Sequence, residues 1–204
     1  MRRVTDLLGL SFCLALLGGC NMNAITEGFH KTLPQQNARV LVWGGHPSAL
    51  RMTELWLQRH GLTTVDQVRI QQIVNHQHIT VKDAWQDQKE LLQIGKVARA
   101  DFVVVVHTPF TKGAPGAPYI GPYGGGTMER LEYIASVSIK GVSVETGETA
   151  WSGSARYPGR YSDLENGLEE LTCQALATAW GIRPIGHYPI RAQTMCDIAD
   201  LQSR

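Results

Sequence analysis

Six consecutive residues, Asp101 to Val106, read DFVVVV and constrain the fold more than any other stretch of the sequence. After Asp101 every side chain is apolar, so the pattern does not alternate between polar and apolar positions. A strand that is exposed on one face alternates, whereas a strand buried on both faces reads as a continuous β-branched run. Sheets with both faces covered occur in proteins whose helices pack on either side of the sheet. The run therefore predicts a central strand in an α/β fold.

The segment before this run predicts alternating strands and helices. Residues 39–43 read as a strand that ends at Gly44 and Gly45, and Ser48 is expected to cap a helix running to His60. The pattern continues with a short strand at 62–65, a helix capped by Asp66, and a helix over 83–99 whose core is expected to include Trp85, Leu92 and Val97.

The segment after the run predicts a hairpin and a final helix. Residues 133–144 and 149–157 are two strand-like arms joined by a tight turn. Ser162, with Glu165 three residues later, predicts a capping box, and the helix that follows is expected to end at Gly181.

Together these elements predict the fold class: α/β, a single domain with a mixed β-sheet flanked by helices, a late β-hairpin and a C-terminal helix. We place this domain at residues 38–181. On the last helix Cys173, Leu176 and Trp180 form a second apolar patch, away from the main stripe. That patch would be exposed unless another segment covered it, so residues 182–204 are predicted to pack on the last helix.

The N-terminus has the pattern of a secretory signal. A basic start and a short apolar run precede small residues and Cys20, and the apolar run is too short for a spanning helix. Small residues directly before a cysteine resemble the lipobox of bacterial lipoproteins, which predicts a signal peptide at 1–19 and lipidation of Cys20. An uncleaved N-terminal anchor is the alternative. Asn21 in place of an aspartate favours the outer membrane, and residues 20–37 read as a polar tether reaching about 55 Å when extended.

Charge excludes one class of partner. The chain has 19 basic and 18 acidic residues, and removal of the signal leaves 17 of each, so no basic surface typical of nucleic-acid binding is expected. Of the four cysteines, Cys173 and Cys196 remain after Cys13 leaves with the signal and Cys20 is lipidated. An even pair in a compartment that permits disulfides predicts a Cys173–Cys196 bond, with two free buried thiols as the alternative.

Residues 109–126 (PFTKGAPGAPYIGPYGGG) separate two predicted strands by a long stretch rich in glycine and proline. Four prolines between 109 and 122 exclude a pair of membrane-spanning strands, because proline cannot donate to a β-ladder. The glycines do not open a helix, so a phosphate-binding loop is not expected. Three interpretations stay open: a disordered connection, a loop over a sheet edge, or a partner-contact surface presented by Tyr119 and Tyr123.

No motif in the sequence predicts catalysis, a cofactor or a metal. His76 and His78 stand two residues apart without a third ligand nearby, which indicates solvated residues at a helix end. Ser152 and Ser154 do not fit the nucleophile-elbow pattern, and no base is paired with them. The protein is therefore expected not to be an enzyme, to have no cofactor and to bind no metal.

Two segments carry a resemblance to a known family. The helix-to-strand segment ELLQIGKVARADFVVVV and the hairpin VSIKGVSVETGETAWSGSA resemble the curli secretion-channel (CsgG-like) lipoprotein superfamily over about residues 38–180. The resemblance implies an α/β sheet covered by helices, in outer-membrane lipoproteins that assemble rings or dock periplasmic partners. This chain would be a short relative that lacks the transmembrane hairpins.

The sequence thus predicts a bacterial outer-membrane lipoprotein that faces the periplasm and binds protein. It is expected to be held to the membrane by its lipid, to contact a periplasmic or outer-membrane protein, and to assist assembly or regulation of an envelope structure. Self-association as a ring-forming subunit of a secretion or surface-anchoring complex is the alternative, and an envelope hydrolase is a weaker one.

Overall fold

The computed structural model describes residues 24–112, 133–157 and 163–182, which form one α/β domain. These residues contain seven strands and four helices, in agreement with the predicted fold class. The elements in chain order are β1 (Ile25–His30), β2 (Arg39–Trp43), α1 (Pro47–Arg59), β3 (Thr63–Thr64), α2 (Gln67–Gln77), α3 (Gln88–Ala98), β4 (Phe102–His107), β5 (Phe110–Lys112), β6 (Tyr133–Ser143), β7 (Thr149–Arg156) and α4 (Leu164–Ala179).

The strands form a mixed sheet in the order β1-β7-β6-β4-β2-β3, with β5 also paired to β6. Strands β2, β3 and β4 are parallel to one another. Strand β6 is antiparallel to β4, β5 and β7, and β7 is antiparallel to β1. One half of the sheet is therefore parallel and the other half antiparallel.

The DFVVVV run forms the centre of the sheet, as the sequence predicted. All four valines of β4 are at most 1% exposed. Val104 and Val106 belong to a core cluster that contains residues of α1 and α4. Val103 and Val105 belong to a second cluster that contains residues of α2 and α3. Helices thus cover both faces of the sheet at the four valines of β4, which is why none of these four positions needs a polar side chain.

Two of the three predicted helix caps differ from the sequence interpretation. Asp66 caps α2 as expected, accepting a hydrogen bond from the Val68 backbone N–H at 2.6 Å. The cap of α1 is His46 rather than Ser48, because Pro47 already lies in the first turn. The cap of α4 is Asp163, whose carboxylate accepts from the N–H groups of Glu165 and Asn166 at 3.1 and 3.2 Å.

Helix α3 begins at Gln88, five residues later than predicted. The Asp87 carboxylate accepts from the backbone N–H groups of Lys82 and Asp83 at 2.8 and 2.9 Å and so holds residues 83–87 in a turn. These two hydrogen bonds also lower the pKa of Asp87. The prediction that Val97 is core is wrong, since it is 43% exposed. The buried residues of the helix are Leu91, Ile94, Gly95 and Ala98.

Strand β1 lies in the segment, residues 20–37, whose polar sequence predicts a tether. Its six residues pair with β7 from Ile25 opposite Arg156 to His30 opposite Trp151. Five of the six are exposed, so the strand lacks the apolar pattern by which strands are recognised. Its close packing depends on Gly28, where a Cβ atom would overlap the backbone carbonyl of Thr178 on α4.

The second apolar patch of α4 is contacted by α1. The centre of the Trp180 ring lies 4.7 Å from the centre of the His60 ring and 6.4 Å from that of the Trp56 ring. It lies 6.3 Å from the centre of the Trp151 ring. Coverage of this patch therefore does not depend on residues 182–204 alone. Apart from Ile182, those residues lie outside the described ranges, so their predicted packing on α4 stays a prediction.

Strand β5 also corrects the sequence interpretation, which treated residues 109–126 as one connection. Phe110–Lys112 pair with β6 from Phe110 opposite Ala135 to Lys112 opposite Tyr133. The Phe110 ring contacts the His46 ring edge-on at 6.3 Å, which attaches the strand to the start of α1. The strand was not predicted because proline is rare within strands and Pro109 is next to it. Pro109 stands just before Phe110, the first residue of β5.

Candidate functional site: an edge strand and its open face

Strand β1 is an edge of the sheet, because β7 is its one neighbour within the described residues. The Lys31 N–H donates to the Ala150 carbonyl at 2.7 Å, in the same register that pairs β1 with β7. Hydrogen bonding alternates along an antiparallel strand, so odd-numbered residues of β1 bond to β7. Thr26, Gly28 and His30 therefore direct their backbone N–H and C=O groups away from the sheet.

No helix among the described residues covers the face of the sheet beside this edge. On strands β6 and β7 it consists of four half-buried serines that lie next to one another, which we call the serine face: Ser136, Ser138, Ser152 and Ser154. Glu27 of β1 is opposite Ser154, and Phe29 is opposite Ser152. Helices α2 and α3 cover the same side of the sheet farther along, over β2 and β4.

Lys140 marks the boundary between the open and covered parts of this face. Its ammonium donates to the Trp85 carbonyl oxygen at 2.7 Å and lies 4.6 Å from the centre of the Trp85 ring. Burial lowers the pKa of Lys140, and the Asp83 carboxylate opposes that effect. The contact fixes the turn before α3 against the edge of the serine face.

A groove of about 450 Å³ lies where β1, β5, β6 and β7 meet at one end of the sheet. Three exposed apolar side chains line it: Ile25 at 42%, Phe110 at 47% and Ile134 at 46%. Arg156 also lines it, and Lys112 follows at the end of β5; both are exposed. The groove thus combines apolar walls with positive charge.

Of the lipidation, disulfide and partner-contact residues predicted from the sequence, only Cys173 lies within the described residues. Cys20, Tyr119, Tyr123 and Cys196 lie outside the described residues, so their predicted roles stay predictions. Cys173 is buried on α4 and is disulfide-bonded. Its partner is outside the described ranges, so the pairing with Cys196 remains a prediction.

The histidines and serines considered above for metal binding and catalysis lie in different parts of the described fold. His76 and His78 are exposed at the end of α2, as the sequence indicated, and no group of three potential metal ligands occurs in ranges 24–112, 133–157 and 163–182. Ser138 is opposite His107 in the sheet, but within the described chain no side-chain hydrogen bond joins them, and the centre of the His107 ring lies 5.6 Å from that of Trp85. None of the helices described is long and apolar enough to cross a bilayer.

Sequence reasoning missed Ile25, Gly28, Phe29, Phe110 and Ile134. The signal that could have found β1 is its alternation, since Ile25, Glu27 and Phe29 share one face, whereas Thr26, Gly28 and His30 share the other. The apolar residues on that face are too few for the alternation to be decisive over six positions.

Comparisons with known proteins give distant structural likenesses. No family model matches the chain, and no curated protein matches it in sequence. The PelC dodecamer from Paraburkholderia phytofirmans is 14% identical with a TM-score of 0.45, over 76% of this chain and 96% of that one. The LpoB C-terminal domain from Salmonella enterica is 14% identical with a TM-score of 0.44, over 66% and 88%. Lipoprotein GNA1162 from Neisseria meningitidis is 13% identical with a TM-score of 0.42, over 57% and 79%.

Likeness at this level carries no argument about what the chain does. The resemblance to the curli secretion-channel family is not shown by these comparisons and stays a prediction.

Proposed function

We propose that the protein is an envelope lipoprotein that binds an extended segment of another envelope protein along β1. The pattern of small residues before Cys20 supports lipid anchoring, with the domain on the periplasmic face of the outer membrane. The role is binding rather than catalysis, in the assembly or regulation of an envelope structure, and it needs no cofactor.

The observation that carries the proposal is the outer hydrogen-bonding edge of β1, which pairs with no other strand among residues 24–112, 133–157 and 163–182. Three residues in alternate positions, Thr26, Gly28 and His30, point backbone donors and acceptors outward. An extended peptide that pairs with them adds a strand to the sheet, a mode in which main-chain hydrogen bonds supply the affinity. Unprotected edges of this kind are uncommon in monomeric proteins because they promote association.

Side chains next to the edge can select the bound segment. Phe29 is 52% exposed and lies on the same face as Glu27. Alternate side chains of an added strand would lie beside these two residues. The arrangement favours a segment with an apolar residue beside Phe29 and a basic or polar residue beside Glu27.

Thr26→Pro tests the edge directly. The Thr26 N–H points away from β7, so proline removes one outward donor and leaves the β1–β7 ladder in place. Thr26→Val is the matched control, because it changes the side chain and keeps the N–H. Affinity capture from crosslinked envelopes should recover the partner with wild type and Thr26→Val, and should lose most of it with Thr26→Pro.

The outcomes separate the competing interpretations. Equal recovery with Thr26→Pro would refute binding along β1, provided that circular dichroism shows the variant is folded. If the captured partner is another copy of the chain, the edge serves self-association, and the ring-forming alternative gains support. Tyr119→Ala with Tyr123→Ala, tested in the same capture, shows whether residues 109–126 contribute to the contact.

A further inference from the structure

The groove and the start of β1 lie at the same end of the sheet. Strand β6 begins there, β7 ends there and β5 pairs there with β6, because β1 and β6 both run antiparallel to β7. We call this the proximal end and define it by Ile25, Phe110, Lys112, Ile134 and Arg156.

The length of chain before β1 restricts where this end can be. Cys20 and Ile25 are five positions apart, and five extended residues span at most about 17 Å. The tether interpretation allowed about 55 Å between the anchor and the domain, but β1 takes up the middle of that segment. If Cys20 carries the lipid, the proximal end is held next to the membrane surface.

The side chains at the proximal end suit such a surface. Ile25, Phe110 and Ile134 line the groove, and each is more than two-fifths exposed. Apolar groups of peripheral proteins enter the headgroup region, and nearby lysine and arginine residues are attracted to anionic lipid phosphates. Lys112 and Arg156 supply those cations at the ends of β5 and β7.

Two acidic residues of the described chain lie near this end and do not reverse the pattern. Glu27 lies two residues farther along β1, on the serine face, and its neighbour across the strands is Ser154. Asp163 caps α4, where its carboxylate is hydrogen-bonded to the first turn of its own helix.

We propose that the proximal end is a lipid-contact surface, with Ile25, Phe110 and Ile134 in the headgroup region and Lys112 and Arg156 on lipid phosphates. This inference rests on the lipid anchoring proposed above. It assigns the domain a fixed orientation: β1 rises away from the membrane, and its open edge stays accessible to a periplasmic partner.

Photo-crosslinking to lipid tests the orientation. Full-length lipidated protein is reconstituted into vesicles of phosphatidylethanolamine and phosphatidylglycerol, with p-benzoylphenylalanine in place of Ile134. Val97 is the matched control position, since it is 43% exposed against 46% for Ile134. It lies at the opposite end of the sheet, where α3 leads into β4 and the Asp101 N–H donates to the Arg39 carbonyl at 2.7 Å. We expect lipid adducts at position 134 and background levels at 97.

A charge variant sharpens the same measurement. Lys112→Gln with Arg156→Gln should lower the adduct yield at position 134 in vesicles containing phosphatidylglycerol and leave it unchanged in vesicles of phosphatidylethanolamine alone. Equal adducts at 134 and 97, or adducts to protein rather than lipid at 134 in whole envelopes, would overturn the lipid-contact surface.

Acylation of Cys20 is tested separately from the orientation of the domain. Wild type should pellet with membranes and carry acyl chains by mass spectrometry, whereas Cys20→Ala should do neither. If wild type is not acylated, the proposed anchoring fails. If it is acylated and position 134 gives no lipid adduct, the anchoring stands and the orientation is wrong.

Discussion

The parallel and antiparallel halves of the sheet differ in how many of their faces are covered by helices. In the parallel half, helices cover both faces, and the four valines of β4 are almost fully buried. In the antiparallel half, α4 covers one face closely, and the other face presents serines, Glu27 and an open edge. The comparison indicates that the parallel half and the packing of α4 provide stability, whereas the open face of the antiparallel half is available for binding.

The largest expected effect is at the covered face of the antiparallel half. A Cβ atom at Gly153 would overlap the Ala175 carbonyl oxygen and lie 2.8 Å from the Ala179 Cβ on α4. Gly153→Ala should therefore displace the helix and destabilise the protein by about 3 kcal/mol, the upper end for overpacking. Ser154→Ala, one residue along on the open face, should change the unfolding free energy little. Equal effects in denaturant unfolding would contradict the assignment of the two faces.

The next prediction compares two positions on the same side of the sheet. Val105 lies under α2 and α3 and is 1% exposed, whereas Ser138 lies on the serine face. Val105→Ser should cost about 2 kcal/mol, because it removes apolar burial and introduces a hydroxyl without a partner. Ser138→Val should stay within about 0.5 kcal/mol of wild type, as substitutions on open surfaces do. A large loss from Ser138→Val would mean that the serine face is packed rather than open.

The smallest effect concerns the helices that cover the two halves. The buried residues of α2 and α3 are apolar or glycine, whereas α4 buries Glu170, and burial raises the pKa of this carboxyl to about 7. The folded protein therefore holds this proton more tightly than the unfolded chain, and stability is lost as pH rises from about 4.5 to about 7.

Glu170→Gln removes the cost of ionising a buried carboxyl group. The variant should be about 1 kcal/mol more stable than wild type at pH 8, where the wild-type carboxyl is ionised, and no more stable at pH 4. The gain at pH 8 is no larger because the carboxyl retains some access to water. Urea unfolding at the two pH values measures the difference. A stabilisation that is equal at both values would show that the gain does not come from the charge.

Sequence predicted the parallel half better than the antiparallel edge. The DFVVVV run was decisive because burial on both faces leaves a local, unbroken signal. Strand β1 gave no comparable signal, since Gly28 is required by the backbone of Thr178, some 150 positions away in the chain. A contact at that distance leaves no periodicity in either segment, so neither segment by itself indicates that the two will meet.

Prediction of the helix starts depended on residue type instead. Asp66 was predicted correctly because a carboxylate is a favoured cap, whereas His46 acts as a cap through a ring nitrogen, an acceptor that sequence rules do not favour. The candidate site was missed for the same reason as β1. Its exposed residues come from four strands, and only the sheet register places Ile25, Phe110 and Ile134 together.

The position of β1 also determines how the domain responds to mechanical force. With a lipid on Cys20, tension between the membrane and the domain would enter the fold along the axis of β1. The pairs between β1 and β7 would then be loaded together in shear, which resists rupture better than opening them one at a time. A partner held on the outer edge of β1 would take up that tension directly, so the rest of the domain could stay unloaded.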